Sequence, residues 1–256
     1  LRASRGLAAI AIAGLVVAGC SSTSGTTGPP SPVATSSTTA TTVSTSTTTS
    51  TTVAPARVEV AVIGDSLIAS TSEEIAAAVQ GEGYTVSVAG SPGVPLTDPF
   101  IQSHLADARG TPIIVIATAT NDNFVNDETS LSSGQAAASS AYRSLVERTN
   151  SGLAGSCTVW VNMRTRVAGL YRPEQAPYTN AVLAGIVASN PDTRLVDWAT
   201  ISEPHDSSDW FYVDELHFNR FYKDSNGVTQ QDDAHRVQPG ADAYAAAIAQ
   251  GVRSCA

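Results

Sequence analysis

The sequence predicts an α/β fold, a three-layer α/β/α sandwich built on a mainly parallel sheet of about five strands. Three observations predict it. Short apolar runs rich in Val and Ile recur from residue 58 onward. Segments of ten or more residues with helical patterning separate them, and strands alternating with helices imply a parallel sheet covered on both faces. Glycine and small polar residues directly follow several runs, as they do where loops open above the C-terminal strand ends of such a sheet.

The elements follow in order. Val58-Glu59-Val60-Ala61-Val62-Ile63 is a buried strand that runs into Gly64-Asp65-Ser66. A helix is expected from about Ser72 through Gln80, because Glu73 and Glu74 fall in its first turn, where the helix dipole favours negative charge. Tyr84 to Val88 is the second strand, ending at Gly90. Residues 98–109 suggest a helix. Pro112 then leads Ile113-Ile114-Val115-Ile116, the best central strand of the chain. Ser133 to Asn150 is helical, Thr158 to Val161 a fourth strand, Gln175 to Ser189 a helix, and Arg194 to Val196 a short fifth strand. A last helix spans about Ala241 to Val252. Residues 199–234, where aromatic and acidic side chains crowd, are the least regular.

Three segments organise the chain: an export signal over 1–19, a tether over 20–56 and one folded domain over 57–256. Arg2 and Arg5 precede the apolar run Leu7 to Val17, the order of a basic n-region and an h-region. The run is short for a membrane span. Val17-Ala18-Gly19-Cys20 resembles a bacterial lipobox, which implies lipidation of Cys20 and a membrane anchor facing the cell-envelope exterior. An ordinary signal peptide with a chance cysteine, or an uncleaved anchor, is the alternative. From Ser21 to Pro55, 23 of 35 residues are Ser or Thr and none is charged. Such a segment buries too little apolar surface to offset its ordering entropy, and it reads as a flexible tether with a coil dimension of about 30 Å.

The whole chain carries 14 Lys and Arg against 23 Asp and Glu, a formal net charge of -9. An acidic chain with no basic run argues against nucleic acid as a partner, because phosphate binding needs clustered positive charge. Beyond Cys20 two cysteines remain, Cys157 and Cys255. In an oxidising compartment this pair is expected to form a disulfide, with two free thiols as the alternative. Neither has metal-ligand spacing, and four dispersed histidines give no case for zinc, so no metal and no cofactor are expected.

Three polar clusters follow the first three strands: Gly64-Asp65-Ser66, Gly90 and Asn121-Asp122. Later come two Asp-x-x-His pairs, Asp214 with His217 and Asp232 with His235. A serine at a strand-to-helix turn presents its hydroxyl upward while the helix start offers amide hydrogens to a developing oxyanion. A histidine from a later loop would be its base.

In this order the clusters resemble the blocks of the SGNH or GDSL-like hydrolases. Gly64-Asp65-Ser66-Leu67 matches the first block and implies Ser66 as nucleophile. Gly90 fits the second-block glycine, and Ala119-Thr120-Asn121-Asp122 resembles the third block, although Ala119 stands where glycine is usual. The resemblance implies an oxyanion hole of the Ser66 and Gly90 amides and the Asn121 side chain. For the last block Asp232 and His235 are favoured, because Pro239-Gly240-Ala241 and an alanine-rich helix with Tyr244 follow. Asp214 and His217, with Trp210 before and Asn219 after, are the rival pair. Gly90 as a plain positive-φ corner and Arg164 and Arg166 as a solvated edge are the bland readings beside these. The resemblance implies a monomeric serine esterase acting on a short acyl or acetyl ester, of a small molecule or a glycan. Acyl transfer to a cell-envelope acceptor and an inactive binding module stay open.

Overall fold

The apolar runs form β1 (Glu59–Gly64), β2 (Thr85–Gly90), β3 (Ile113–Ala117), β4 (Cys157–Val161) and β5 (Thr193–Val196). They build one wholly parallel sheet in the order β2-β1-β3-β4-β5. The structure is a computed structural model, and it describes residues 57–122, 134–168, 173–207, 209–219, 221–223, 229–231 and 238–256. The chain divides into two units, Leu1–Thr52 and Val53–Ala256, and all described residues lie in the second. Cys20 and the segments 1–19 and 20–56 lie outside them.

Successive strand side chains point to opposite faces, and here both faces are apolar. Val60 and Val62 of β1 share one face with Val115 and Val159, whereas Ala61 and Ile63 share the other with Ile114, Ile116 and Trp160. The first face is covered by α2 (Ser72–Gly81) through Ile75 and Val79, and by α8 (Pro239–Arg253) through Tyr244, Ile248 and Val252. The second is covered by α3 (Pro99–Asp107), α5 (Gly134–Gly152) and α6 (Ala176–Ser189), which bury Ile101, Leu105, Val146, Leu183 and Ile186. The three-layer α/β/α expectation holds, and each expected long element lies within about two residues of its place.

Four pieces were not expected: α1 (Ser66–Ser70), α4 (Ala119–Asp122), α7 (Trp198–Ser202) and a two-stranded antiparallel ribbon, β6 (Phe221–Lys223) with β7 (Thr229–Gln231). Cys157, which opens β4, is bonded to Cys255, just beyond α8, across a sequence separation of 98. The strand order reverses between β2 and β3 around β1. In open α/β sheets the crevice above the C-terminal strand ends at such a switch point is where ligands sit. Ser66, Gly90 and Asn121 all follow strands that end there.

Candidate active site

Ser66 owes its placement to Asp65. The chain leaves β1, and the Asp65 amide donates to Ala117 O of β3 at 3.0 Å. The Asp65 carboxylate caps α1 by accepting from Leu67 N at 3.0 Å. Ser66 is therefore the first residue of the helix, where an N–H has no acceptor within the helix.

The partner of Ser66 is His217. Its Nε2 lies 2.9 Å from Ser66 Oγ, and its Nδ1 lies 2.7 Å from Asp214 Oδ2. The other carboxylate oxygen of Asp214 accepts from the amides of Leu216 and His217, each at 3.0 Å. Burial pushes the Asp214 carboxyl up, but the imidazole and the two amides outweigh it and hold the group below the usual carboxylate range. An ionised Asp214 fixes the proton on Nδ1 and leaves Nε2 to accept from the serine hydroxyl. The side chains of His217 and Asp214 are 34% and 24% exposed, so the pair is reached by solvent.

Gly90 sits where β2 passes closest to α1. A Cβ there would lie 2.3 Å from Ala69 N and 2.7 Å from its Cα, so only glycine fits. Its φ is not among the positive values of the described glycines, which removes the positive-φ corner as its reason. Thr85 N donates to Val58 O, just before β1, and Ser91 N to Gly64 O at its end. Because amides alternate along a strand, the Gly90 N–H points the other way, toward the open edge of the sheet.

Asn121 is buried in α4, and its Nδ2 donates to Asp65 Oδ2 at 3.1 Å. The next residue, Asp122, accepts from Leu96 N at 2.6 Å and from Thr118 Oγ1 at 2.8 Å. Both aspartates are buried, and burial pushes each carboxyl up to about 7. For Asp65 the hydrogen bond from Leu67 opposes this rise and the charge of Asp122 adds to it; for Asp122 the bonds from Leu96 and Thr118 oppose it. Together the groups can deprotonate a serine hydroxyl and offer hydrogen-bond donors on its helix side.

The structure thus brings Ser66, Asp214 and His217 together, with Asn121 joined to them through Asp65. Asp232 and His235, the favoured pair in the sequence, lie outside the described residues, while the rival pair holds Ser66. The preference for His235 rested on Gly240. A Cβ on Gly240 would lie 2.8 Å from Phe218 Cδ1 and 2.9 Å from Trp210 O, so this glycine seats the residues flanking His217 against α8.

Arg164 departs from its expectation. Instead of a solvated edge, its side chain is 0% exposed. It donates to the carbonyls of Arg166, Ser202 and His205 and to Glu215 Oε2, and lies 4.1 Å from the Phe211 ring centroid. Arg166 does lie at the surface, donating to Glu203 O at 3.1 Å. Two further histidines lie in the described residues. His104 bonds within α3 to Phe100 O, and His205 pairs with Asp209 and stacks on Trp210 at 3.4 Å. Among the described residues no group of three or more His, Cys, Asp or Glu could hold a metal ion.

The α/β/α sandwich is a fold that solved hydrolases and an acetyltransferase share. The catalytic domain of Streptococcus pneumoniae peptidoglycan O-acetyltransferase A is similar at 17% identity and a TM-score of 0.53, covering 78% of this chain and 94% of that one. A lipase/acylhydrolase from Enterococcus faecalis is similar at 14% identity and 0.54, covering 78% and 96%. An acetyl xylan esterase is similar at 11% identity and 0.51, covering 76% and 99%. No protein-family model and no curated protein matches the chain.

Proposed function

We propose that the protein is a serine esterase that cleaves a short acyl ester through an acyl-enzyme on Ser66, with His217 as base. The observation that carries this is the hydrogen-bonded line Ser66 Oγ, His217, Asp214 at 2.9 and 2.7 Å. His217 Nε2 takes the hydroxyl proton as Oγ attacks the ester carbonyl, while Asp214 stabilises the imidazolium. The Ser66 and Gly90 amides and Asn121 Nδ2 receive the developing oxyanion. His217 then protonates the leaving alcohol, and water, activated by the same nitrogen, releases the acid.

Transfer of the acyl group to an alcohol acceptor uses the same groups, with the acceptor in place of water. The shared architecture of a lipase, an acetyl xylan esterase and an O-acetyltransferase supports either outcome. Export and lipidation at Cys20, with 20–56 as tether, complete the reading. The Cys157–Cys255 bond supports an oxidising compartment.

The test is hydrolysis of p-nitrophenyl acetate by the full chain and by S66A, H217A and H235A. Expected is loss of at least about a hundredfold in S66A and H217A and retention in H235A. Full activity in H217A would return the role to His235. Product partitioning between acetate and an acetylated alcohol, with methanol or a short glycan added, separates hydrolysis from transfer.

A further inference from the structure

We propose that Arg164 and Glu215 are positioning residues that hold His217 against Ser66 by fixing the turn Asp214–His217. This rests on the Ser66–His217–Asp214 reading above. Glu215 lies between the two members of that pair, and it is the one non-glycine residue at positive φ, +57°, among the described residues. A side-chain-bearing residue is disfavoured in that left-handed region, so something must hold it.

The holding contacts are on both carboxylate oxygens. Oε2 accepts from the Arg164 guanidinium at 2.9 Å, and Oε1 accepts from Ser207 N at 3.1 Å. Arg164 is itself immobilised, because its other donors reach the carbonyls of Arg166, Ser202 and His205 and its plane lies over Phe211. One guanidinium therefore ties the segment after β4, the end of α7 and the loop beyond it to the residue between Asp214 and His217. Ala168 N adds a bond to Asp214 O at 3.0 Å from that same segment. The His217 ring is carried by this turn, and its Nδ1 is held by Asp214 Oδ2 at 2.7 Å at the start of the same turn. Misplacing a reacting group by about 1 Å can cost a hundredfold in rate.

The test compares the full chain with Glu215→Gly, Glu215→Gln and Arg164→Lys. Glycine leaves the left-handed backbone free and removes the tether, while glutamine keeps an oxygen for the guanidinium. Two readouts are taken: p-nitrophenyl acetate kinetics, and the low-field proton NMR signal of His217 Nδ1–H in 15N-histidine protein, assigned with H217A. Expected for E215G is a kcat lower by about thirtyfold with KM within about twofold, together with loss or broadening of that signal. E215Q should fall between E215G and wild type, and R164K should follow E215G. A sharp, unshifted signal in E215G, or in E215Q where E215G does not fold, would overturn the positioning role, as would absence of the signal from the wild type. Full activity in H217A would move the base to His235, and none in the wild type would sink the esterase reading; in both cases the NMR signal still decides the role of Glu215.

Discussion

One carboxylate beside Ser66 serves two ends that pull against each other. Asp65 Oδ2 takes one hydrogen of Asn121 Nδ2, which fixes the orientation of that amide and leaves its second hydrogen for an oxyanion. Holding a carboxylate there costs burial, and with Asp122 nearby its pKa rises from 3.8 to about 7. Both carboxyls keep their protons to higher pH in the fold than in the unfolded chain. Their contribution to stability is complete below about 3.8 and is lost as pH rises through about 7. Asp197, Asp209 and Asp214 run the other way: their hydrogen bonds outweigh burial and hold them low, so their contribution is lost only at more acid pH. The unfolding free energy of the wild type from urea titration should therefore fall between about pH 4 and pH 7 and level off above, by at most about 1.4 kcal/mol per pH unit for each titrating carboxyl. In D65N the fall should shrink; an equal fall would refute the assignment. The same substitution sets an NH2 against the Asn121 NH2. Asn121 then turns its oxygen to residue 65, and kcat should drop by about ten- to a hundredfold.

Elements differ in how plainly the sequence shows them. The strands and long helices were legible because burial on both sheet faces makes strands continuous apolar runs, and Val60 to Ile63 and Ile113 to Ile116 are such runs. The helices α1, α4 and α7 span only four or five residues, too few to show a 3.6-residue period, and two of them are set by an aspartate cap. Arg164 follows a strand end near another arginine, which reads as surface; only tertiary placement buries it. The sequence alone does not separate His217 from His235, because Gly240 follows His235 in the chain while the start of α8 packs in space on Trp210 and Phe218, beside His217. G240A must push back Trp210 O, a backbone atom, and with it the strand-like pair Phe211 and Phe218 that flanks His217. Expected is a loss of about tenfold in kcat with a modest change in Tm, read by esterase assay and thermal unfolding on one preparation. Unchanged kcat would detach α8 from the site.

Across the whole folded unit, α8 joins two ends of the sheet. Its first turn packs on the residues around His217, above the C-terminal strand ends, and its last residues reach Cys157 at the opposite end of β4 through Cys255. Its 15 residues span about 22 Å. Between the ends it packs tightly, for a Cβ on Gly251 would lie 2.6 Å from Val196 Cγ2 and 2.9 Å from Val159 Cγ1. The disulfide is thus remote from the chemistry and tied to it only through the helix. Closing a loop of nearly one hundred residues removes unfolded-state entropy equivalent to about 4–5 kcal/mol in the chain-entropy view. For a unit of this size that corresponds to roughly 10–15 °C in Tm. C157S/C255S should therefore unfold at a Tm lower by about that amount while kcat at 25 °C stays at the wild-type value, because core packing alone keeps α8 in place. The wild type treated with a reductant should match the double variant in both respects. A fall in kcat at 25 °C without a fall in Tm would instead make the bond a part of the site, transmitted along α8 to the turn that carries His217.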